Sequence, residues 1–179
     1  VGHDIARKAF PRLVHGVYGY RRDNARLREV TMGLVLPRRP HIIVVGCGAL
    51  GSSIARGLSD KKFDVCVIDH DADAFQRLGA DFSGFTDVGD ATSADVLERN
   101  GVDETTMLLA LTSRDNTNLL VAQLAKTIYG VGDVYVRLFN ERKGRILEGT
   151  DIRVLCPRRL CEEEFSTMSG IDIPQGGLR

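Results

Sequence analysis

One stretch limits what this chain can fold into more than any other. A continuous β-branched run, Ile42-Ile43-Val44-Val45, leads directly into Gly46-Cys47-Gly48-Ala49-Leu50-Gly51. Such a run suits a strand buried on both faces, and Leu50, Ile54, Ala55 and Leu58 then recur at helical spacing. Strand, glycine turn and helix in immediate succession open a parallel α/β unit. The glycines divide the work: Gly46 permits the tight turn, Gly48 lets backbone amides approach a pyrophosphate, and Gly51 lets helix and strand pack closely. No Lys-Ser or Lys-Thr follows them, which argues against the phosphate-binding loop of the nucleoside triphosphatases.

From His41 onward, apolar runs of strand length alternate with longer segments of helical period. The expected strands after the first are Val65 to Ile68, a short polar one near Phe82 to Phe85, Met107 to Leu111, Val134 to Phe139 and Ile152 to Leu155. Between them, helices are expected over Asp71 to Leu78, Thr92 to Asn100, Asn116 to Tyr129 and Glu141 to Glu148, and a further one over Arg158 to Met168. Asp71 or Asp73 can cap the first of these, while Gly79, Gly101 and Gly130 fit helix ends. The pattern predicts a Rossmann-like, doubly wound α/β domain with a mainly parallel six-stranded sheet and helices on both faces. Six strands and their helices account for residues 41 to 157. Residues 1 to 40 read as a leader or linker ending at Pro37 and Pro40, and residues 158 to 179 as a helix start and a frayed tail.

The second strand ends at Asp69, where a carboxylate accepts hydrogen bonds from ribose hydroxyls and repels a 2′-phosphate. Together with the glycine turn this favours NAD(H), ATP or ADP over NADP(H). The plainer alternative is a packing turn with an aspartate that caps the next helix. Cys47, inside the turn at a helix N-terminus, offers either a thiol of lowered pKa that senses oxidants or, as the preferred reading, a buried side chain.

Charge is uneven although the chain is formally neutral: residues 1 to 40 hold nine Lys or Arg against three acids, and the remainder fifteen against twenty-one. The basic leader could dock on an anionic surface or be a solvated helical linker, the latter carrying more weight. Four cysteines without Cys-x-x-Cys spacing read as reduced thiols, and the scattered histidines offer no metal-ligand spacing. No run of about 18 apolar residues marks a membrane helix and no signal peptide opens the sequence, so the expected location is cytoplasmic, at the inner face of the membrane through a partner or a missing segment.

Further motifs then follow in order: Val67-Ile68-Asp69-His70-Asp71; Gly89-Asp90-Ala91-Thr92 with Leu97; Asn100-Gly101-Val102-Asp103-Glu104; Leu111-Thr112-Ser113-Arg114-Asp115-Asn116-Thr117-Asn118; Val136-Arg137; and Gly149-Thr150-Asp151. With the glycine turn, this series resembles the RCK, KTN or TrkA-N nucleotide-binding domain of potassium-transport regulators, from about His41 to Pro157. The resemblance implies that Gly46, Gly48, Ala49, Leu50 and Gly51 lie along the phosphates, Asp69 on the ribose and His70 beside the adenosine. It places Asp90 and Ala91 at the adenine edge, Thr112 over the glycine turn, and Arg137 toward a phosphate, either its own subunit's or a neighbour's. The plainer roles are helix caps for Asp90 and Asp115, a surface amide for Asn118 and half of a salt bridge for Arg137.

Two departures stand out. Many relatives carry a basic or polar side chain where this chain has Ala49 and Leu50, and a smaller C-terminal ligand-binding domain often follows where this sequence stops. The expectation is either a piece of a longer protein or regulation through the nucleotide domain alone. The resemblance implies a non-enzymatic regulator with NAD(H) or ATP/ADP as ligand. Its partners would be the membrane subunit of a potassium channel or transporter and copies of itself in a homodimer or ring, and nucleic acid is not expected as a partner. The competing expectation is an NAD-dependent oxidoreductase, which lacks a Tyr-x-x-x-Lys pair here, Lys126 and Tyr129 standing in reverse order.

Overall fold

The computed structural model describes residues 39–173. Its centre is a six-stranded sheet in the order β3-β2-β1-β4-β5-β6, formed by β1 (His41–Val45), β2 (Asp64–Asp69), β3 (Phe85–Val88), β4 (Met107–Ala110), β5 (Asp133–Arg137) and β6 (Arg153–Leu155). Every pairing is parallel. Parallel neighbours require crossover segments, and these include α1 (Ala49–Asp60), α2 (Ala94–Arg99), α3 (Asp115–Gln123) and shorter 3-10 turns over Ala72–Leu78 and Glu141–Leu147; α4 (Pro157–Ser169) follows β6.

Alternation along the strands divides the core. Ile42 and Val44 of β1 pack with Val65 and Val67 of β2 under Ala55 of α1 and Ala74 and Leu78 of the first 3-10 turn. Ile43, Val45, Cys66 and Ile68 face the other way, toward Val96 and Leu97 of α2 and Leu119, Val121 and Ala122 of α3. Strands buried on both faces have to be apolar at consecutive positions, which is why β1 reads as an unbroken run.

The doubly wound architecture agrees with the sequence reading, and four elements differ from it in detail. The third strand is Phe85–Val88 rather than Phe82 to Phe85. Phe82 packs as a partly buried side chain against the α1 face, and Gly84 comes so close to β2 that a Cβ there would collide with the Val65 carbonyl oxygen. The helix expected over Asn116 to Tyr129 is α-helical only as far as Gln123 and then widens into a π turn over Leu124–Ile128. There the Thr127 hydroxyl donates to the Gln123 carbonyl at 2.6 Å. The segments expected as helices over Asp71 to Leu78 and Glu141 to Glu148 are 3-10 turns, capped by Asp71 and Asn140. The basic leader of residues 1–38 and the tail from residue 174 lie outside the described residues.

Candidate functional site at the strand C-termini

The sheet reverses its direction of winding between β1 and β4, and in such sheets ligands occupy the crevice beyond the strand C-termini at that switch point. One wall is the glycine turn. Gly46 has φ +101°, which a side chain rarely adopts, and a Cβ there would stand 2.8 Å from the Thr112 amide nitrogen. The turn therefore rests on the other wall, the segment after β4. A Cβ on Gly51 would strike the Gly46 carbonyl oxygen, so this glycine sets how closely α1 meets the turn. Gly48 differs: its backbone is ordinary, with φ −70°, and a Cβ there would meet nothing within 4 Å. Packing within the protein gives no reason for glycine at 48; it is the N-cap of α1, a position that favours glycine over alanine, and it leaves the backbone open to close approach by a phosphate.

At the start of α1 no side chain caps the helix and the first turn contains no acid. Its leading N–H groups and the partial positive charge of about +0.5 at its end face outward, as an anion requires.

Asp69 joins β2 to this turn. Its Oδ2 accepts the Cys47 N–H at 2.6 Å, and its Oδ1 accepts the Asp71 N–H at 3.0 Å and is paired with His70 Nδ1 at 2.8 Å. Burial raises the pKa of this carboxyl, but donation from the two amides and from His70 outweighs it and holds the group ionised below the usual range. An ionised carboxylate offers about four acceptor positions, and three are in use, so one remains on Oδ2. The Asp69 side chain is 11% exposed and that of His70 75%; the aspartate braces the turn while the imidazole is open to solvent.

Asp90 accepts from the Thr92 N–H at 2.9 Å and the Thr92 hydroxyl at 2.7 Å, a local turn that orders the loop after β3. These bonds, with smaller contributions from His70 and Arg114, lower its pKa. Ala91 beside it is buried. Thr112 is held by Asn118, whose Oδ1 accepts from the Thr112 N–H at 2.9 Å and its hydroxyl at 2.6 Å. The same amide donates to the carbonyls of Thr112 and Arg137. Asn118 is fully buried, which corrects the surface-amide alternative: it locks the ends of β4 and β5 to α3. Asp115 does not cap α3 either, since its oxygens accept from the Phe139 and Asn140 amides at 2.8 and 2.9 Å. Sequence reasoning missed both roles, because their partners are backbone groups on a neighbouring strand end and no spacing rule points to them.

Arg137 makes no ion pair among the described residues. Its Nη1 donates to the Leu111 carbonyl at 3.5 Å, its guanidinium stacks on Phe139 at 4.1 Å, and its buried Nε has no partner. The salt-bridge alternative is thereby set aside. Cys47 is also settled: it is buried, and burial, followed by the Asp69 carboxylate, pushes its thiol up rather than down. Lys126 and Tyr129 lie beyond the far end of α3, where they bond to the Gly132 carbonyl and to Glu98, away from the crevice.

Strand order, glycine turn and switch-point crevice define a Rossmann-type, doubly wound domain. The chain belongs to the TrkA-N domain family, whose model matches residues 42–156. It is 34% identical over 125 residues to the Trk system potassium uptake protein TrkA of Streptomyces coelicolor, covering 70% of this chain and 56% of that protein. The TrkA homolog of Pyrococcus abyssi is 32% identical over 108 residues, 60% of this chain and 48% of that protein. The chain thus spans about half the length of these curated relatives. Among solved structures, the GsuK channel bound to NAD superposes with a TM-score of 0.62 at 18% identity over 90% of this chain and 27% of that one. That likeness is one of fold.

Proposed function

We propose that this chain is a nucleotide-sensing, non-enzymatic regulatory domain of a potassium-transport system. The observation that carries the reading is the turn itself: Gly48 is glycine without any packing reason, directly before an uncapped helix N-terminus, in a family whose relatives are named for potassium uptake. An adenine nucleotide fits the groups present. Its phosphates would lie along Gly46, Gly48, Ala49, Leu50 and Gly51, and one ribose hydroxyl would donate to the acceptor position left on Asp69 Oδ2. His70, Asp90 and Ala91 would border the adenosine. Thr112 would close the crevice from β4, and Arg137 would offer charge further along the sheet. NAD(H) and ATP or ADP all meet this description, and a channel that shares the fold has been solved with NAD.

Regulation follows from linkage. A nucleotide that binds one arrangement of the assembly better than another shifts the balance by that difference, typically about 1 to 3 kcal/mol. The partner would be a membrane channel or transporter subunit at the inner face of the membrane, a reading supported by relatives named for potassium uptake. Pairing of two copies is supported by α4, which buries none of its residues and leaves Leu160, Phe165 and Met168 exposed. Calorimetric titration with NAD, NADH, ADP and ATP tests the reading: at least one binds stoichiometrically, and a folded protein that binds none of the four contradicts it.

A further inference from the structure

The glycine turn supplies a bound phosphate with backbone N–H groups and no charge, because Gly46 to Gly51 contains no basic side chain. Neutralising a diphosphate in the crevice therefore depends on a cation from another element. Several basic side chains near the strand C-termini are anchored by contacts within the protein, although among the described residues Arg137 and Arg77 make no ion pair. Arg137 bonds to Leu111 and stacks on Phe139, Lys143 bonds to Asn116 at 2.8 Å and stands 3.9 Å from Asp115, and Arg77 turns back on the carbonyl of Ala74.

Arg114 differs. It is exposed, and among the described residues its guanidinium makes no hydrogen bond or ion pair. Its backbone, by contrast, is fixed on both sides: Arg114 N–H donates to the Thr112 hydroxyl at 3.2 Å, the same hydroxyl contacts the Arg114 carbonyl at 3.3 Å, and the Asn118 N–H donates to that carbonyl at 3.0 Å. Thr112 itself is the residue against which Gly46 packs. A free cation is thus mounted on a rigid base in the wall that faces the glycine turn across the switch point. The loop that carries it follows β4, the strand that pairs with β1 on the side opposite β2.

We propose that Arg114 is the cation that pairs with the phosphates of the bound adenine nucleotide, supplying from the β4 wall the charge that the glycine turn lacks. The inference rests on the nucleotide-sensor reading and names a specificity-determining residue within it. A planar guanidinium held opposite backbone N–H groups clamps a diphosphate between two donor sets. It gives ligands with a phosphate an advantage over the bare nucleoside and makes their affinity salt-dependent.

The test uses the full chain and its Arg114→Ala and Arg114→Lys variants. ADP is titrated by calorimetry at low and high salt, and adenosine binding is followed by ligand-observed NMR. All three proteins should melt at the same temperature, since the side chain is exposed and unbonded. Arg114→Ala should weaken ADP by roughly tenfold or more, reduce the salt dependence and leave adenosine unchanged, with Arg114→Lys in between. ADP affinity within about twofold of wild type, or equal losses for ADP and adenosine, overturns the assignment of Arg114 while leaving the sensor reading in place. A wild-type chain that binds none of ADP, ATP, NAD and NADH overturns both.

Discussion

Gly48 and Gly51 stand in the same turn for different reasons, and substitution separates them. A methyl group at 51 meets the Gly46 carbonyl; Gly51→Ala should lower stability by about 1 to 3 kcal/mol, the usual range for overpacking, read by chemical denaturation. At 48 a methyl group has open space but replaces the glycine N-cap of α1, so Gly48→Ala should lose about 1 kcal/mol or less, less than Gly51→Ala, and lose nucleotide affinity in calorimetry. Equal stability losses at both positions would contradict this division. Asp69 adds a pH dependence whose sign is fixed. Its carboxyl titrates lower in the fold than in the unfolded chain, so its stabilisation is complete above the ordinary carboxylate value of about 3.9 and is lost as pH falls through the lower folded value. Acid titration of stability should therefore be shallower in Asp69→Asn. Among the cysteines, Cys161 is exposed while Cys47, Cys66 and Cys156 are buried, and burial pushes the Cys66 thiol up to about 12. A thiol reagent should label Cys161 quickly in the native protein and Cys47 only on unfolding; fast labelling of Cys47 would revive an oxidant-sensing role.

At the scale of elements, α3 matters through what its buried amide ties together. Asn118 bonds to groups at the ends of both β4 and β5, so Asn118→Leu strands several polar groups at once and should cost about 2 to 4 kcal/mol in denaturant unfolding. Elements of this kind were only partly legible beforehand. β1 and the glycine turn could be read because their pattern is local: a buried strand has to be apolar, and the turn has to be glycine. β3 could not be placed to the residue. It is a four-residue edge strand with Phe85 and Val88 exposed, and the apolar signal lay instead in Phe82, which packs outside the strand. The π turn after Gln123 is a one-residue widening of the helical ladder, which the apolar periodicity does not register. Within the site, Asp69 and Gly46 to Gly51 were legible as a spacing, whereas the bracing by Asn118 and Asp115 became visible only once β4 and β5 lay side by side.

For the molecule as a whole, a sheet core covered on both faces and an α4 with no buried residue describe a domain complete in its centre and open along one helix. Paired copies should be detected by light scattering, and Leu160→Asp with Met168→Asp should shift them toward monomer without lowering the melting temperature; unchanged mass would exclude α4 from the contact. The larger claim is that the crevice holds a nucleotide without consuming it. Gly48 is the residue on which that claim turns, so the most direct measurement is calorimetric titration of wild type and Gly48→Ala with NAD, NADH, ADP and ATP, together with the identity of each ligand recovered afterwards. Stoichiometric binding by the wild type, weakened in Gly48→Ala, with the nucleotide recovered intact, is the predicted result. No binding by a folded wild type, or conversion of the nucleotide during the titration, would contradict it.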